Sequence, residues 1–168
     1  MEKRTETVDL PKILNQGDLL KQIERHRQMD RQIVFTNGCF DILHVGHVRY
    51  LRSAKSYGDI LVVGLNSDAS VKRIKGINRP INSQDHRAEV LSSLACIDYV
   101  TIFKEPDPLE LIKVIKPDVL VKGDDWAISR IVGAPEVQSI GGQVIRVPIV
   151  PDISTSRILR RIIMGASR

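Results

Sequence analysis

Two histidines three residues apart, His44 and His47, carry the strongest chemical signal in this chain. They end the segment Phe35-Thr36-Asn37-Gly38-Cys39-Phe40-Asp41-Ile42-Leu43-His44-Val45-Gly46-His47. The apolar run Ile33-Val34-Phe35 reads as a short strand that stops at the turn pair Asn37-Gly38. A helix is predicted to begin near His44, and residues three apart share a face of its first turn. Free N–H groups and the dipole at a helix start favour an anion. Two imidazole donors placed there suit phosphate oxygens and the charge that develops on them during transfer. Gly38 permits close backbone approach to a ligand, and Gly46 leaves room for a phosphate or a flat base. An isolated H-x-x-H more often marks surface or capping histidines, and it lacks the H-E-x-x-H pattern of a zinc site. The strand, the turn and Asp41 ahead of it reverse that balance. Asp41 fits two roles equally well: a helix-entry cap, or a carboxylate that orients backbone or binds substrate.

Three further groups have chemical potential. Asp152-Ile153-Ser154-Thr155-Ser156-Arg157 places hydroxyls just before an apolar-periodic segment, the pattern of a helix N-terminus. Alone it is a good cap. Opposite His44, it would grip a triphosphate from a second side. Val121-Lys122-Gly123-Asp124-Asp125-Trp126 is again a strand followed by a glycine turn. It reads either as an ordinary turn with a buried Trp126, or as a base pocket lined by Lys122 and Gly123 with an acidic residue for ribose or metal. Lys72, Lys75 and Arg87 are either a solvated face or the cations that neutralise a transferring phosphoryl group.

These groups need a scaffold. Residues 18–29 read as an amphipathic helix, and Val45 to Ser56 as the helix that follows the histidine turn. Ile60 to Leu65 is continuously apolar, which suits a parallel strand covered on both faces. Helix then alternates with strand: Asp85 to Leu94, Tyr99 to Phe103, Leu109 to Ile115, Val119 to Val121, Ala134 to Ile140, Gln143 to Val147, and a last helix from Ser154 to Met164. This order predicts an α/β fold: a Rossmann-like, doubly wound parallel sheet in a single domain, with ligands beyond the strands' carboxyl ends. Residues 1–30 are expected to form a helical extension and 31–168 the domain itself. The segment Lys75 to Ser83, with Gly76 and Pro80, reads as an exposed, mobile loop. His26 and His86 read as surface residues without a role.

Composition excludes several classes. A chain of 168 residues with 42% hydrophobic residues suits one soluble globular domain. No apolar run approaches the roughly 20 residues that span a bilayer, and the charged start Met1 to Thr7 resembles no secretory signal. Cys39 and Cys96 lack metal-ligand spacing and fit a reducing cytoplasm without a disulfide. The net charge of +5 is not gathered in one block, and aromatics are only 4%, which argues against a nucleic-acid platform.

Asn37-Gly38-x-Phe40-Asp41-x-x-His44-x-Gly46-His47, with the late Ile153-Ser154-Thr155-Ser156, resembles the cytidylyltransferase-like superfamily of nucleotidyltransferases. Within it, FTNGCFDILHVGHVRYL, LNSDASVKRIKG, RPIN with Arg87, and DVLVKGDDW most resemble the D-glycero-β-D-manno-heptose 1-phosphate adenylyltransferases of ADP-heptose synthesis. The likeness runs from Lys12 to Ile163, without a kinase half, and so implies a stand-alone transferase. It implies a direct displacement in which a sugar 1-phosphate attacks the α-phosphorus of ATP, with Mg²⁺ carried by the nucleotide and no residue assigned as a metal ligand. His44, His47 and Lys75 would be catalytic. Thr36, Asn37, Gly38, Phe40, Gly46, Lys122, Gly123 and Asp125 would border the nucleotide, and Ser154, Thr155 and Ser156 would hold its phosphates. Asp41, Asn66, Lys72 and Arg87 would meet the acceptor. ATP and a sugar phosphate are the expected partners, with no membrane or nucleic acid, and a homo-oligomer is left open. Two departures stand out. Ser156 replaces the usual last Thr, and GDDW is familiar from glycerol-3-phosphate cytidylyltransferases, which keeps cytidylyl transfer to an alcohol phosphate as the alternative. A non-catalytic nucleotide-binding module would more cheaply have lost the histidines or the hydroxyls.

Overall fold

The computed structural model describes residues 11–166, so the charged start and the first third of the expected extension lie outside the described residues. Five strands form one parallel sheet: β1 (Ile33–Gly38), β2 (Ile60–Asn66), β3 (Tyr99–Phe103), β4 (Val119–Gly123) and β5 (Gln143–Val147). Their order across the sheet is β3-β2-β1-β4-β5. The chain therefore winds outward from β1 to one edge, then returns to the other side of β1. That reversal leaves a crevice at the carboxyl ends of β1 and β4, where open α/β sheets bind ligands.

Register shows how the crevice opens. β1 pairs with β2 along its whole length, from Ile33↔Ile60 to Gly38↔Leu65. β1 pairs with β4 only at Val34↔Val119 and Phe35↔Leu120. Past those residues the two strands part. Thr36 to Gly38 and Val121 to Gly123 then flank a gap instead of a ladder.

Both faces of the sheet are covered, which is why its strands read as unbroken apolar runs. On one face α1 (Gln16–Arg27), α5 (Leu109–Ile115) and α6 (Ala134–Ser139) pack against Ile33, Phe35, Val62 and Leu120. On the other, α2 (Val45–Lys55) and α4 (Gln84–Ser92) pack against Val34, Leu61, Val63 and Val121. α1 is no loose appendage: Leu19 and Ile23 are fully buried in the first core. His26 at its end is partly buried, its Nε2 within 2.9 Å of the Tyr99 hydroxyl, and so is not the free surface residue expected.

Two elements differ from the sequence reading. A helix, α3 (Asp68–Lys75), occupies a segment to which the sequence reading assigns no element, started by Ser67, whose hydroxyl accepts from the Ser70 N–H. The loop from Lys75 to Ser83 is shortened by that helix and tied down at its far half, as described below. The final helix, α7 (Thr155–Ala166), begins where the hydroxyl run predicts. No helix among the described residues is long and apolar enough to cross a membrane.

Gly64 of β2 lies opposite Asn37 in the ladder, beside the crevice. A Cβ there would sit 2.8 Å from the buried Phe35 ring and 3.2 Å from Leu111. Gly64→Ala must displace a packed aromatic, and overpacking of this kind costs about 1–3 kcal/mol. Urea unfolding should show a lower midpoint with an unchanged slope. A wild-type midpoint would mean that Phe35 moves aside freely.

Candidate active site

A crevice of about 510 Å³ lies at the parted ends of β1 and β4. That volume falls in the range of small-ligand sites. Its walls are the β1–α2 turn, the end of α3, the turn after β4 and the start of α7.

The β1–α2 turn is bent by Phe40, which adopts a left-handed backbone with φ 42°. This is a costly conformation for a residue with a bulky side chain. Burial of its ring offsets the cost: Phe40 is 7% exposed and lies edge-on to His47 at a centroid distance of 5.2 Å. His44 is the N-cap of α2, but no side chain caps the helix and its first turn contains no acidic residue. The helix start is thus open to an anion. His44 and His47 stack, with ring centroids 3.8 Å apart and planes at 18°. Gly46 makes the stack and the turn compatible. A Cβ there would lie 3.0 Å from the His44 ring and 3.2 Å from Ile153. Gly46 also lines the crevice, so the missing side chain serves both the histidine packing and the cavity.

Two imidazoles in van der Waals contact cannot both be charged cheaply. Burial depresses His44 below its ordinary value. Burial, then the charges of His44 and Lys75, push His47 down to about 4. Both rings are thus neutral at pH 7. The Nδ1 atoms of both are buried without a hydrogen-bond partner among the described residues. The pair has unspent hydrogen-bonding capacity next to an open helix N-terminus.

α7 faces this pair across the crevice. Ser154 caps the helix by accepting from the Arg157 N–H at 3.2 Å. Ser154, Thr155 and Ser156 all line the crevice. Thr155 also reaches the Ile42 carbonyl at 3.5 Å, which links the start of α7 to the histidine turn. Two helix N-termini converge on one cavity. From the third side, Lys122 donates to the Asn37 side-chain oxygen, across the gap between β4 and β1. Burial pushes the Lys122 ammonium down to about 8. Gly123 and Asp125 complete that wall. Trp126, read as buried from the turn, is 51% exposed at the rim. Lys75, at the end of α3, is exposed and lines the crevice.

Of the other expected site residues, Thr36, Asn66, Lys72 and Arg87 are not part of the crevice lining, and Asp41 lines it with its carboxylate already engaged. Thr36 is fully buried beneath the site, its hydroxyl 2.7 Å from that of Tyr50. Asp41 is spent inside the chain: it pairs with Arg79 and accepts from the backbone N–H groups of Ile81 at 2.8 Å and Asn82 at 3.0 Å. Arg87 is 2% exposed, and its guanidinium donates to the carbonyls of Asn82, Cys39 and Asn66 and to the Asp68 carboxylate. Asn66 is buried and donates to the Ser70 hydroxyl at 3.0 Å. Lys72 is exposed on α3, one turn before Lys75, and does not reach the crevice wall. Asp41 and Arg87 satisfy backbone groups that would otherwise be orphaned, whereas Thr36 and Asn66 are engaged by the hydroxyls of Tyr50 and Ser70. Asp41 and Arg87 together fasten the 79–82 stretch to the histidine turn.

Sequence reasoning gave Tyr50 no role. Its spacing of three from His47 was the available signal, because it puts the two side chains on one face of α2.

The comparisons agree with this geometry. A family model described as cytidylyltransferase-like matches residues 35–161. Over 150 residues the chain is 51% identical to the bifunctional protein HldE of Koribacter versatilis, an alignment that covers 89% of this chain and 31% of that one. Over 152 residues it is 53% identical to the bifunctional protein HldE of Geobacter metallireducens, with 90% and 31% covered. The chain thus spans about a third of the length of these curated relatives. A solved lipopolysaccharide core biosynthesis protein from Thermoplasma volcanium superposes with a TM-score of 0.57 at 32% identity, over 71% of this chain and 97% of that one.

The depressed His47 sets a pH dependence. Unfolded, its imidazole binds a proton near pH 6.5, whereas folded it does so only near 4. Between those values the unfolded chain holds more protons, so the contribution is intact above about pH 6.5 and is lost as pH falls towards 4. The loss is on the order of 3 kcal/mol when fully expressed. Urea midpoints taken at about pH 7.5 and about pH 4.5 should fall less in His47→Gln than in the wild type. Equal falls in both proteins would show that His47 is not the group responsible.

Proposed function

The chain belongs to the cytidylyltransferase-like family, and from that premise we propose that it transfers the adenylyl group of ATP to D-glycero-β-D-manno-heptose 1-phosphate, giving ADP-heptose and pyrophosphate. The observation that carries the transfer is the convergence of two helix N-termini, one bearing the stacked histidines and the other three hydroxyls, on a single crevice. That arrangement suits a triphosphate gripped at two points.

In the proposed reaction an acceptor phosphate oxygen forms a bond to the α-phosphorus, and the bond from that phosphorus to the bridging oxygen breaks. The electron pair leaves with pyrophosphate. His44 and His47, neutral beside the open start of α2, donate to the α-phosphoryl oxygens as their charge grows. Ser154, Thr155 and Ser156 bind the departing phosphates with the α7 N-terminus. Lys75 neutralises charge from the exposed end of α3. Lys122, Asn37, Gly123 and Asp125 border the nucleoside. A divalent ion fits this donor set. Among the described residues no cluster of three or more acidic, histidine or cysteine side chains forms a cage, and Mg²⁺ is commonly held by substrate phosphates with one or two carboxylates. Mg²⁺ would enter with ATP, beside Asp125, and screen the triphosphate.

Adenine is favoured by the wall after β5. Ile149 and Val150 line the crevice beside Gly123. The Ile149 N–H is already bound to the Asp124 carboxylate at 3.2 Å. Cytosine would turn a carbonyl oxygen towards the apolar Ile149 and Val150 side chains, and an unpaired buried polar group costs roughly 1–3 kcal/mol. The heptose acceptor rests on the likeness of LNSDAS and RPIN, and the similarity to a protein named for lipopolysaccharide core biosynthesis supports a surface-glycan role. The setting would be cytoplasmic.

Two experiments test the reading. Pyrophosphate release should be compared for ATP or CTP with heptose 1-phosphate or glycerol 3-phosphate. ATP with the heptose should give the highest kcat/KM, by about tenfold to a hundredfold over CTP. If CTP with glycerol 3-phosphate wins, the GDDW segment was the better guide. In the second, His47→Ala should lower kcat on the order of 10²–10³-fold with little change in ATP binding. Parallel losses in turnover and binding would assign His47 to ground-state binding instead.

A further inference from the structure

We infer that Tyr50 is a positioning residue: its single hydroxyl joins the parted strands β1 and β4 and thereby fixes where α2 holds the histidine pair. The inference deepens the reading of the crevice as a transfer site.

β1 and β4 share only two paired residues, and the next pair of positions, Thr36 and Val121, lies where the ladder has ended. Both residues are fully buried, so water cannot serve them. Tyr50 does. Its hydroxyl lies 3.0 Å from the Val121 carbonyl, to which it donates. A hydroxyl has one proton, so the contact to Thr36 at 2.7 Å must run the other way, with Thr36 donating to the Tyr50 oxygen. The chain Thr36 to Tyr50 to Val121 therefore has a fixed direction and leaves none of its three members unsatisfied.

This bridge comes from the helix that carries the chemistry. Tyr50 is three residues after His47 on the same face of α2, and both line the crevice with His44, the residue that precedes the helix. The histidine rings have few anchors of their own: they stack on each other, Phe40 meets His47 edge-on, His47 has one backbone hydrogen bond at Ile42, and both Nδ1 atoms find no partner among the described residues. Stacking restrains the rings loosely, whereas a buried pair of directional hydrogen bonds one turn away fixes the helix against the sheet. Donors that must meet a developing charge tolerate little displacement.

Tyr50→Phe keeps the ring and removes the bridge. The expected result is about a tenfold lower kcat for pyrophosphate release, the size associated with stranding a buried hydrogen-bonding group. KM for ATP should change by less than about twofold, because the start of α7 and the Lys122 wall are untouched. Thr36→Val should lower kcat in the same direction, and Thr36→Ser should restore it. The double variant should be no worse than Tyr50→Phe alone, since both changes cut one chain of bonds. A second readout needs no turnover. By NMR, the His47 ring of Tyr50→Phe should titrate above its wild-type midpoint, as a loosened ring gains water. Wild-type kcat with an unmoved His47 midpoint would overturn the inference. So would a proportional change in kcat and KM, which would indicate general damage. If the wild type releases no pyrophosphate with any nucleotide, the transfer reading fails, and the His47 midpoint alone then decides the role of Tyr50.

Discussion

Everything at this site depends on two parallel strands that separate after two residue pairs. A parallel ladder satisfies its backbone only where it continues, so a separation at the centre of a sheet exposes N–H and C=O groups that need other partners. At the amino-terminal side, Val34 and Phe35 pair with Val119 and Leu120 and are sealed in the core. At the carboxyl side, side chains take over from the ladder. Tyr50 links Thr36 to Val121, and Lys122 reaches Asn37. The crevice is therefore a built opening: its width is set by a phenol on one face and an ammonium–amide contact across the gap.

A second layer of buried polar groups holds the rim to this frame. The charged residues nearest the site in sequence were natural candidates for substrate contact, yet Asp41 and Arg87 are consumed by the protein. Arg87 gathers carbonyls from the histidine turn, from the end of β2 and from the 79–82 stretch. Asp41 gathers two N–H groups and Arg79 from that same stretch. A guanidinium is suited to the first task, because its planar donors satisfy several carbonyls at once and it stays charged when buried. These bonds turn three loops into one rigid rim, and they leave Lys75 as the exposed cation able to approach a ligand from α3.

The electrostatic design is then economical. The site contains few fixed charges. It offers the uncapped start of α2, the Ser154-capped start of α7, neutral imidazoles and hydroxyls, with Lys122 softened by burial. Such a site attracts a polyanion through dipoles more than through net charge, and it keeps its donors available for the charge that appears only during transfer.

The sequence by itself determined the α/β alternation, most element boundaries to within a few residues, and the two helix-start turns that line the crevice. Unbroken apolar runs, Asn37-Gly38 and the hydroxyl run at Ser154 are local signals, and local signals survive in one dimension. It also supplied the His44–His47 pair, because helical spacing is itself a statement about shared faces. What only the tertiary structure decided was which polar side chains are free. Thr36, Asp41 and Arg87 have the residue types of ligand contacts, but they are engaged at distant positions such as Asp41 with Asn82 or Arg87 with Cys39. Tyr50 gained its role in the same way, from a carbonyl 71 residues away. Whether a donor meets a ligand or an orphaned backbone group depends on where strands part, and that is fixed by packing across the sheet, not by any neighbouring residue.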